Sequence, residues 1–216
     1  MSETFYRRNL PHYHPPDATY FVTFRLAGSL PQQVLERLRQ AYEQEETLLR
    51  QRLQGQLLGE EIYKLQKQIF ARYDAALDQA ASGPHWLADP CLANVVAREI
   101  RALHPTHYAL LAYCIMSNHV HLLLDLQGIP DPPRLASGQH HTPLNHALRL
   151  LKGRTARFCN QMLGRSGPFW NPESYDHVVR DKKECERIIA YIINNPVKAG
   201  LVKHADDWPF TYVAET

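Results

Sequence analysis

The amino-acid sequence predicts an α+β fold, and three observations carry that prediction. Two apolar runs, HYALLAYCIM (His107 to Met116) and HVHLLLDL (His119 to Leu126), are separated only by Ser117 and Asn118, the pattern of a tight β-hairpin. A third run, TYFVTFRL (Thr19 to Leu26), alternates aromatic and β-branched residues with polar ones and stops at Gly28 and Pro31, as a strand does. Segments with helical periodicity lie between and after these runs, so the strands form an antiparallel sheet packed against helices.

The strand at Thr19 to Leu26 is followed, from Pro31 to about Ala81, by a region rich in Gln, Glu, Leu and Arg. In it Leu35, Leu38, Tyr42, Leu49, Leu53, Leu57 and Leu58 recur near a helical period. Gly55 and Gly59 are expected to break this region into two helices, and Ser82-Gly83-Pro84 ends it. Eight acids against seven bases mark it as a solvated helical excursion rather than a binding surface. Cys91 to Leu103 reads as the next helix, closed by His104-Pro105. After the hairpin, GIPDPPRLASGQHHT has no periodicity, so residues 128–143 are expected to form a mobile surface loop in which His140 and His141 are solvated. Leu144 to Leu163 is a basic amphipathic helix. A strand covers roughly Ser174 to Arg180, and a last helix from about Lys182 to Asn195 is ended or bent by Pro196. The expected organisation is one domain with residues 32–82 as a helical insertion, residues 197–216 as a C-terminal tail, and no second core.

Composition narrows the function classes. With 216 residues, 44% hydrophobic and 21% charged, the chain can bury a core without disulfides and is neither a disordered nor a coiled-coil protein. Cys91, Cys114, Cys159 and Cys185 include no C-x-x-C pair, so they read as reduced thiols rather than a zinc or redox motif. No apolar run approaches the ~20 residues needed to cross a bilayer, and MSETFYRRNLPHYHPP lacks the apolar stretch of a secretory signal. A cytoplasmic protein with no membrane partner is expected. The net charge of +2 is uninformative, but its distribution is not: between Leu144 and His204 eleven Lys and Arg face five acids.

Two constellations carry chemistry. His119 and His121 are two apart on a strand, so both imidazoles leave one face while Val120, Leu122, Leu124 and Leu126 leave the other. That pair is either a bidentate metal claw or the polar side of a half-buried strand. Tyr191 and Asn195, in YIINN, are four apart and share a helix face. They read either as a phenol and an amide oxygen presented together, or as a tyrosine packed under Trp208 and an asparagine satisfying the helix end.

Together, SNHVHLLL and the later YDHVVRDKKECERIIAYIINNPVKAGLV resemble the REP-associated tyrosine transposases, relatives of the single-strand insertion-sequence transposases in the HUH endonuclease superfamily. The resemblance runs from YHPPDATYFVTFRLAGSLP to the WPF near the C-terminus. It implies a ferredoxin-like antiparallel sheet of four to five strands, with His119, His121 and Asn195 as ligands of a divalent metal and Tyr191 as the nucleophile; mixed nitrogen and oxygen donors suit Mg²⁺ or Mn²⁺, with zinc as the alternative. The implied reaction cleaves single-stranded or hairpin DNA, leaving a 5′-phosphotyrosine link and a free 3′-hydroxyl. The helical region is longer than the compact core of such enzymes needs. Tyr175, beside Asp176 and His177 in SYDH, is the alternative nucleophile; it takes second place because the family pattern puts its tyrosine four residues before an amide. His177 and Asp176 are then supporting groups.

Tyrosine suits reversible strand joining, because a covalent intermediate keeps the phosphodiester energy for a second 3′-hydroxyl. Its phenol, with a reference pKa near ~10, needs a base or positive charge to ionise at neutral pH. Arg149, Lys152, Arg154 and Arg157 are candidates for tracking phosphates, as are Arg7 and Arg8, which sit among Tyr6, His12, Tyr13 and His14. A catalytically silent nucleic-acid binder is the competing expectation, and a small metalloenzyme acting on another substrate is a third. The resemblance fits a monomer as readily as a homodimer.

Overall fold

The structure is a computed structural model that describes residues 5–7, 11–132 and 142–215, with residues 5–7 and 11–13 described by their backbone alone. The side chain of Arg7, all of Arg8, His140 and His141, and most of the 128–143 segment lie outside the described residues. Two compact units form: Gly28–Pro84, and the remainder of the chain.

The larger unit begins with a two-stranded antiparallel ribbon, β1 (Phe5–Arg7) and β2 (Pro11–Tyr13). Its body is a five-stranded antiparallel sheet made from β3 (Thr19–Leu26), β4 (Ala109–Ile115), β5 (His119–Asp125), β6 (Trp170–Val178) and β7 (Thr211–Val213). The strand order is β6-β3-β5-β4-β7, and every pairing is antiparallel. With α3 (Pro90–Ala102) between β3 and β4, and α4 (Pro143–Met162) between β5 and β6, the chain traces β-α-β-β-α-β. The four strands of that unit stand in the spatial order fourth, first, third, second, the ferredoxin-like arrangement that the sequence implied.

Alternation along the strands decides what each face does. Tyr20, Val22, Phe24 and Leu26 of β3 and Val120, Leu122 and Leu124 of β5 point to one face, where they pack with Leu92, Val96 and Ile100 of α3 and Leu144, Leu148 and Leu151 of α4. Phe21, Thr23 and Arg25 of β3 and His119, His121 and Leu123 of β5 take the other face. That face is covered by α5 (Lys182–Lys198), whose Ile192 and Asn195 are fully buried. No residue of β5 before Asp125 is exposed, so the histidines do not occupy the polar side of a half-buried strand. Trp170 is satisfied within the core: its indole N–H donates to Thr155 Oγ1 at 2.8 Å, and Thr155 donates to the Leu151 carbonyl.

Several boundaries differ from the sequence expectation. The strand expected near Ser174 begins at Trp170, because aromatic Trp170 packs edge-on to Phe24 across β3. The last helix passes through Pro196 to Lys198; proline at the final turn forgoes one intrahelical bond and leaves the preceding turns intact. The tail contributes β7, which pairs beside β4, with Tyr212 stacked on Tyr113 at 5.5 Å.

The smaller unit holds α1 (Gln32–Arg52) and α2 (Gly55–Asp78). The break falls at Leu53 and Gln54, and Gly59 lies inside α2 rather than breaking it. Tyr42, Leu65 and Ile69, flanked by Ala41 and Leu49, form a small apolar cluster of their own, where the sequence suggested no second core. Gly83 has φ +99°, and a Cβ there would meet the Gly28 carbonyl oxygen at 2.5 Å. Only glycine fits that close approach between the two ends of the excursion.

No helix among the described residues is long and apolar enough to cross a membrane. All four cysteines are free: Cys91 is exposed, while Cys114 and Cys159 are buried, and burial pushes the Cys159 thiol up to about 11. Iodoacetamide at mildly alkaline pH is therefore expected to label Cys91 in the folded protein and to spare Cys159 until denaturant is added. Peptide mass spectrometry reads the difference; equal labelling of the two in the native protein would contradict this packing.

Candidate active site

The hairpin turn at Ser117-Asn118 starts β5 in a register that sets His119 opposite Arg25, and His121 between Thr23 of β3 and Cys114 of β4. Both imidazoles emerge on the α5 face, buried to 1% and 0% exposure, and their Nε2 atoms stand 3.0 Å apart. The opposite edges of the rings are held by protein: His119 Nδ1 lies 2.6 Å from Asn118 Oδ1, and His121 Nδ1 lies 2.8 Å from Thr23 Oγ1.

Helix α5 starts where its sequence says it should. Asp181 is the N-cap, its carboxylate accepting from the Glu184 N–H at 2.7 Å. Glu184, 2% exposed, accepts from the Arg180 N–H at 3.0 Å and lies 3.3 Å from His177 Nε2 on β6. This junction ties the start of α5 to the sheet edge. Asp181→Ala is expected to lower stability by about 1 kcal/mol through the lost cap, read as a shifted urea midpoint at unchanged slope; an unchanged midpoint would show the cap to be idle.

About three and a half turns along α5, the Asn195 side chain reaches the histidine pair, with Nδ2 3.1 Å from His121 Nε2. Its Oδ1 is buried and has no hydrogen-bond partner among the described residues. Leaving a buried amide oxygen unpaired costs on the order of 1–3 kcal/mol, so this oxygen is available to a further partner. Two imidazole nitrogens and an amide oxygen brought together in the interior are donors that could hold a divalent cation.

Tyr191, one turn before Asn195, is partly buried. Its ring lies 5.5 Å from the His121 ring and 5.9 Å from Phe21, and the Lys198 ammonium sits 5.5 Å over it. It does not pack under Trp208, whose ring meets Phe210 and whose indole donates to the Ile115 carbonyl. Phe21 organises the site: it stacks on His121 at 5.6 Å and touches Tyr175 at 6.4 Å as well as Tyr191. Tyr175 therefore shares the histidine face. Asp176 does not. As the neighbouring residue on β6 it turns to the other face, where its carboxylate lies 3.1 Å from His14 Nε2, so it offers Tyr175 no base.

The basic residues of α4 stand apart from this site, on a helix packed against the opposite face of the sheet. Lys152 is engaged by the Asn171 and Pro172 carbonyls at 3.0 and 3.3 Å, and Arg154 lies 3.9 Å from Glu99. Arg149 and Arg157 are exposed. Sequence reasoning did not single out Phe21, Thr23 or Asn118 as parts of the site. Asn118 read as a turn residue, and the roles of Phe21 and Thr23 follow from strand register, which alternation along one strand does not fix.

The fold and site together describe a ferredoxin-like sheet carrying a His-hydrophobic-His pair, with one tyrosine and one amide presented to it from a C-terminal helix. No protein-family model matches the chain. It is 31% identical over 101 residues to a Haemophilus influenzae protein provisionally named a REP-associated tyrosine transposase, and 43% identical over 42 residues to the REP-associated tyrosine transposase of Escherichia coli K12. These alignments cover 46% and 19% of this chain and 56% and 26% of the relatives, so the chain spans about half the length of the first and a quarter of the second. A solved structure of a REP-associated tyrosine transposase bound to a REP hairpin aligns with 98% of this chain and 82% of its own, at 19% identity and a TM-score of 0.49. The similarity to REP-associated tyrosine transposases read from the motifs is thus found in curated relatives of that name.

Proposed function

We propose that this protein is a REP-associated tyrosine transposase acting as a metal-dependent single-strand DNA endonuclease and strand transferase on hairpin DNA. One observation carries the reading: a buried cluster gathers His119 Nε2, His121 Nε2 and the Asn195 carboxamide, leaves Asn195 Oδ1 unsatisfied, and has the Tyr191 ring 5.5 Å from His121. His119, His121 and Asn195 would hold Mg²⁺ or Mn²⁺, the hard or borderline ions that suit mixed nitrogen and oxygen donors. The bound ion would supply charge neutralisation and polarisation of the phosphoryl oxygen.

In this reading the Tyr191 oxygen, having lost its proton, attacks a backbone phosphorus. The new P–O(Tyr) bond forms as the P–O3′ bond breaks, and the departing 3′-oxygen takes a proton to become a hydroxyl. A second 3′-hydroxyl reverses these steps and reseals a strand. Lys198 supports the role by placing positive charge beside the phenol. Arg149, Arg154 and Arg157 would hold DNA flanking the cleaved phosphate rather than the phosphate itself, since α4 lies on the other face of the sheet; Arg7 and Arg8 are assigned the same work. A cytoplasmic location belongs to the same reading.

The test incubates the protein with a labelled hairpin oligonucleotide carrying a single-stranded flank, across Mg²⁺, Mn²⁺ and chelator. A covalent shift on a denaturing gel that needs the metal supports the proposal. Salt-sensitive binding with no covalent product under any metal would favour the catalytically silent binder instead.

A further inference from the structure

We infer that Asn118 and Thr23 are positioning residues for the histidine pair, each holding the Nδ1 side of one imidazole so that the Nε2 lone pairs converge on a divalent cation. The inference rests on the metal site proposed above and extends it to two residues outside its ligand set. A histidine that ligates through one ring nitrogen has its tautomer and orientation set by the hydrogen bond at the other. The two histidines are served by chemically different partners.

For His119 the partner is the Asn118 carboxamide oxygen, 2.6 Å from Nδ1. An amide oxygen only accepts, so Nδ1 carries the proton and Nε2 keeps its lone pair. An asparagine in a hairpin turn ordinarily serves the backbone and meets solvent. Asn118 is instead 1% exposed, with its side chain turned inward against the ligand. For His121 the partner is the Thr23 hydroxyl, 2.8 Å from Nδ1, with both residues fully buried. A hydroxyl donates or accepts, so Thr23 satisfies either tautomer.

Asn195 Nδ2 lies 3.1 Å from His121 Nε2, and an amide N–H donates, so His121 Nε2 accepts and its proton faces the Thr23 hydroxyl. The two Nε2 atoms, 3.0 Å apart, then present lone pairs to one point, where a divalent cation would take both. Asn118 fixes the tautomer of His119, and Thr23 accommodates that of His121.

Nitrogen-15 NMR of histidine-labelled full-length protein reads the tautomers directly, and Mn²⁺ titration followed by electron paramagnetic resonance reads the affinity. Both histidines are expected as Nδ1–H, with Nε2 unprotonated, before and after Mg²⁺ is added. Asn118→Ala and Thr23→Val should weaken Mn²⁺ binding roughly 10- to 100-fold. Asn118→Asp and Thr23→Ser keep the hydrogen-bonding atom and should retain wild-type affinity, which tests the inference even if the first two variants fold poorly. A proton on His119 Nε2, wild-type Mn²⁺ affinity in Asn118→Ala or Thr23→Val, or loss of affinity in Asn118→Asp and Thr23→Ser would overturn the positioning role. Wild-type protein that binds neither ion would overturn the metal site itself, a distinct failure.

Discussion

Replacing Tyr191 with phenylalanine is expected to abolish the covalent protein–DNA product while leaving the fold and hairpin binding in place. The phenol oxygen is the only group the change removes, and the ring that packs against Phe21 and His121 at 5.9 and 5.5 Å remains. Removing the attacking atom of a covalent mechanism costs about a thousand-fold or more in rate, so no adduct should be detected on a gel that shows it for the wild type. Tyr175→Phe should leave the adduct near the wild-type level. Tyr175 lies on the same sheet face and touches the same Phe21, but it sits on the edge strand β6 and not on the helix that carries Asn195 to His121. The opposite pattern, with Tyr175→Phe inactive and Tyr191→Phe active, would reassign the nucleophile.

The second large effect is expected at His121, which meets every other part of the site: Thr23, His119, Asn195, Phe21 and Tyr191. His121→Ala removes a proposed cation ligand; the loss of several kcal/mol of charge stabilisation corresponds to roughly a thousand-fold in cleavage rate. It also leaves a buried void and unpairs Thr23 and Asn195, so the variant will melt lower for reasons unrelated to chemistry. Ligand-linked stabilisation separates the two effects. Mn²⁺ at a hundred times its dissociation constant stabilises a folded site by about 2.7 kcal/mol; the wild type should show the corresponding rise in melting temperature and His121→Ala none. A variant that melts lower but still responds fully to Mn²⁺ would place the ion elsewhere.

Much of this site is visible in the chain because it depends on local periodicity. Two residues apart on a strand and four apart on a helix are relations that the sequence states outright, so His119 with His121 and Tyr191 with Asn195 pair off before any fold is known. The hairpin is equally local, since its turn is two residues long. What joins the two pairs is not local. His121 meets Asn195 only because α5 crosses the face of β5, and Thr23 meets His121 only through the register of β3, residues nearly a hundred positions earlier in the chain. Burial is also set by the whole: alternation on β5 predicts one polar face, but α5 covers that face, and His119 and His121 end fully buried.

The charged residues show the converse. Arg149, Lys152, Arg154 and Arg157 form a clear basic stripe in sequence, and the stripe is real, but its position relative to the histidines is a property of the β-α-β-β-α-β winding. Both connecting helices lie on one face of the sheet and the C-terminal helix takes the other, so α4 and the site are separated by the sheet. Lys152 is engaged by backbone carbonyls for the same reason that it looked like a DNA contact, since a long cationic side chain finds acceptors wherever the fold offers them.

The most direct measurement is peptide mapping of the covalent product. After cleavage of a hairpin oligonucleotide in Mn²⁺ and digestion with nuclease and trypsin, the residual 5′-phosphonucleotide is expected on IIAYIINNPVK, the peptide from Ile188 to Lys198, with fragmentation placing it on Tyr191. The same mass on SGPFWNPESYDHVVR, which carries Tyr175, or a cleaved strand with no nucleotide on any tyrosine peptide, would contradict the account.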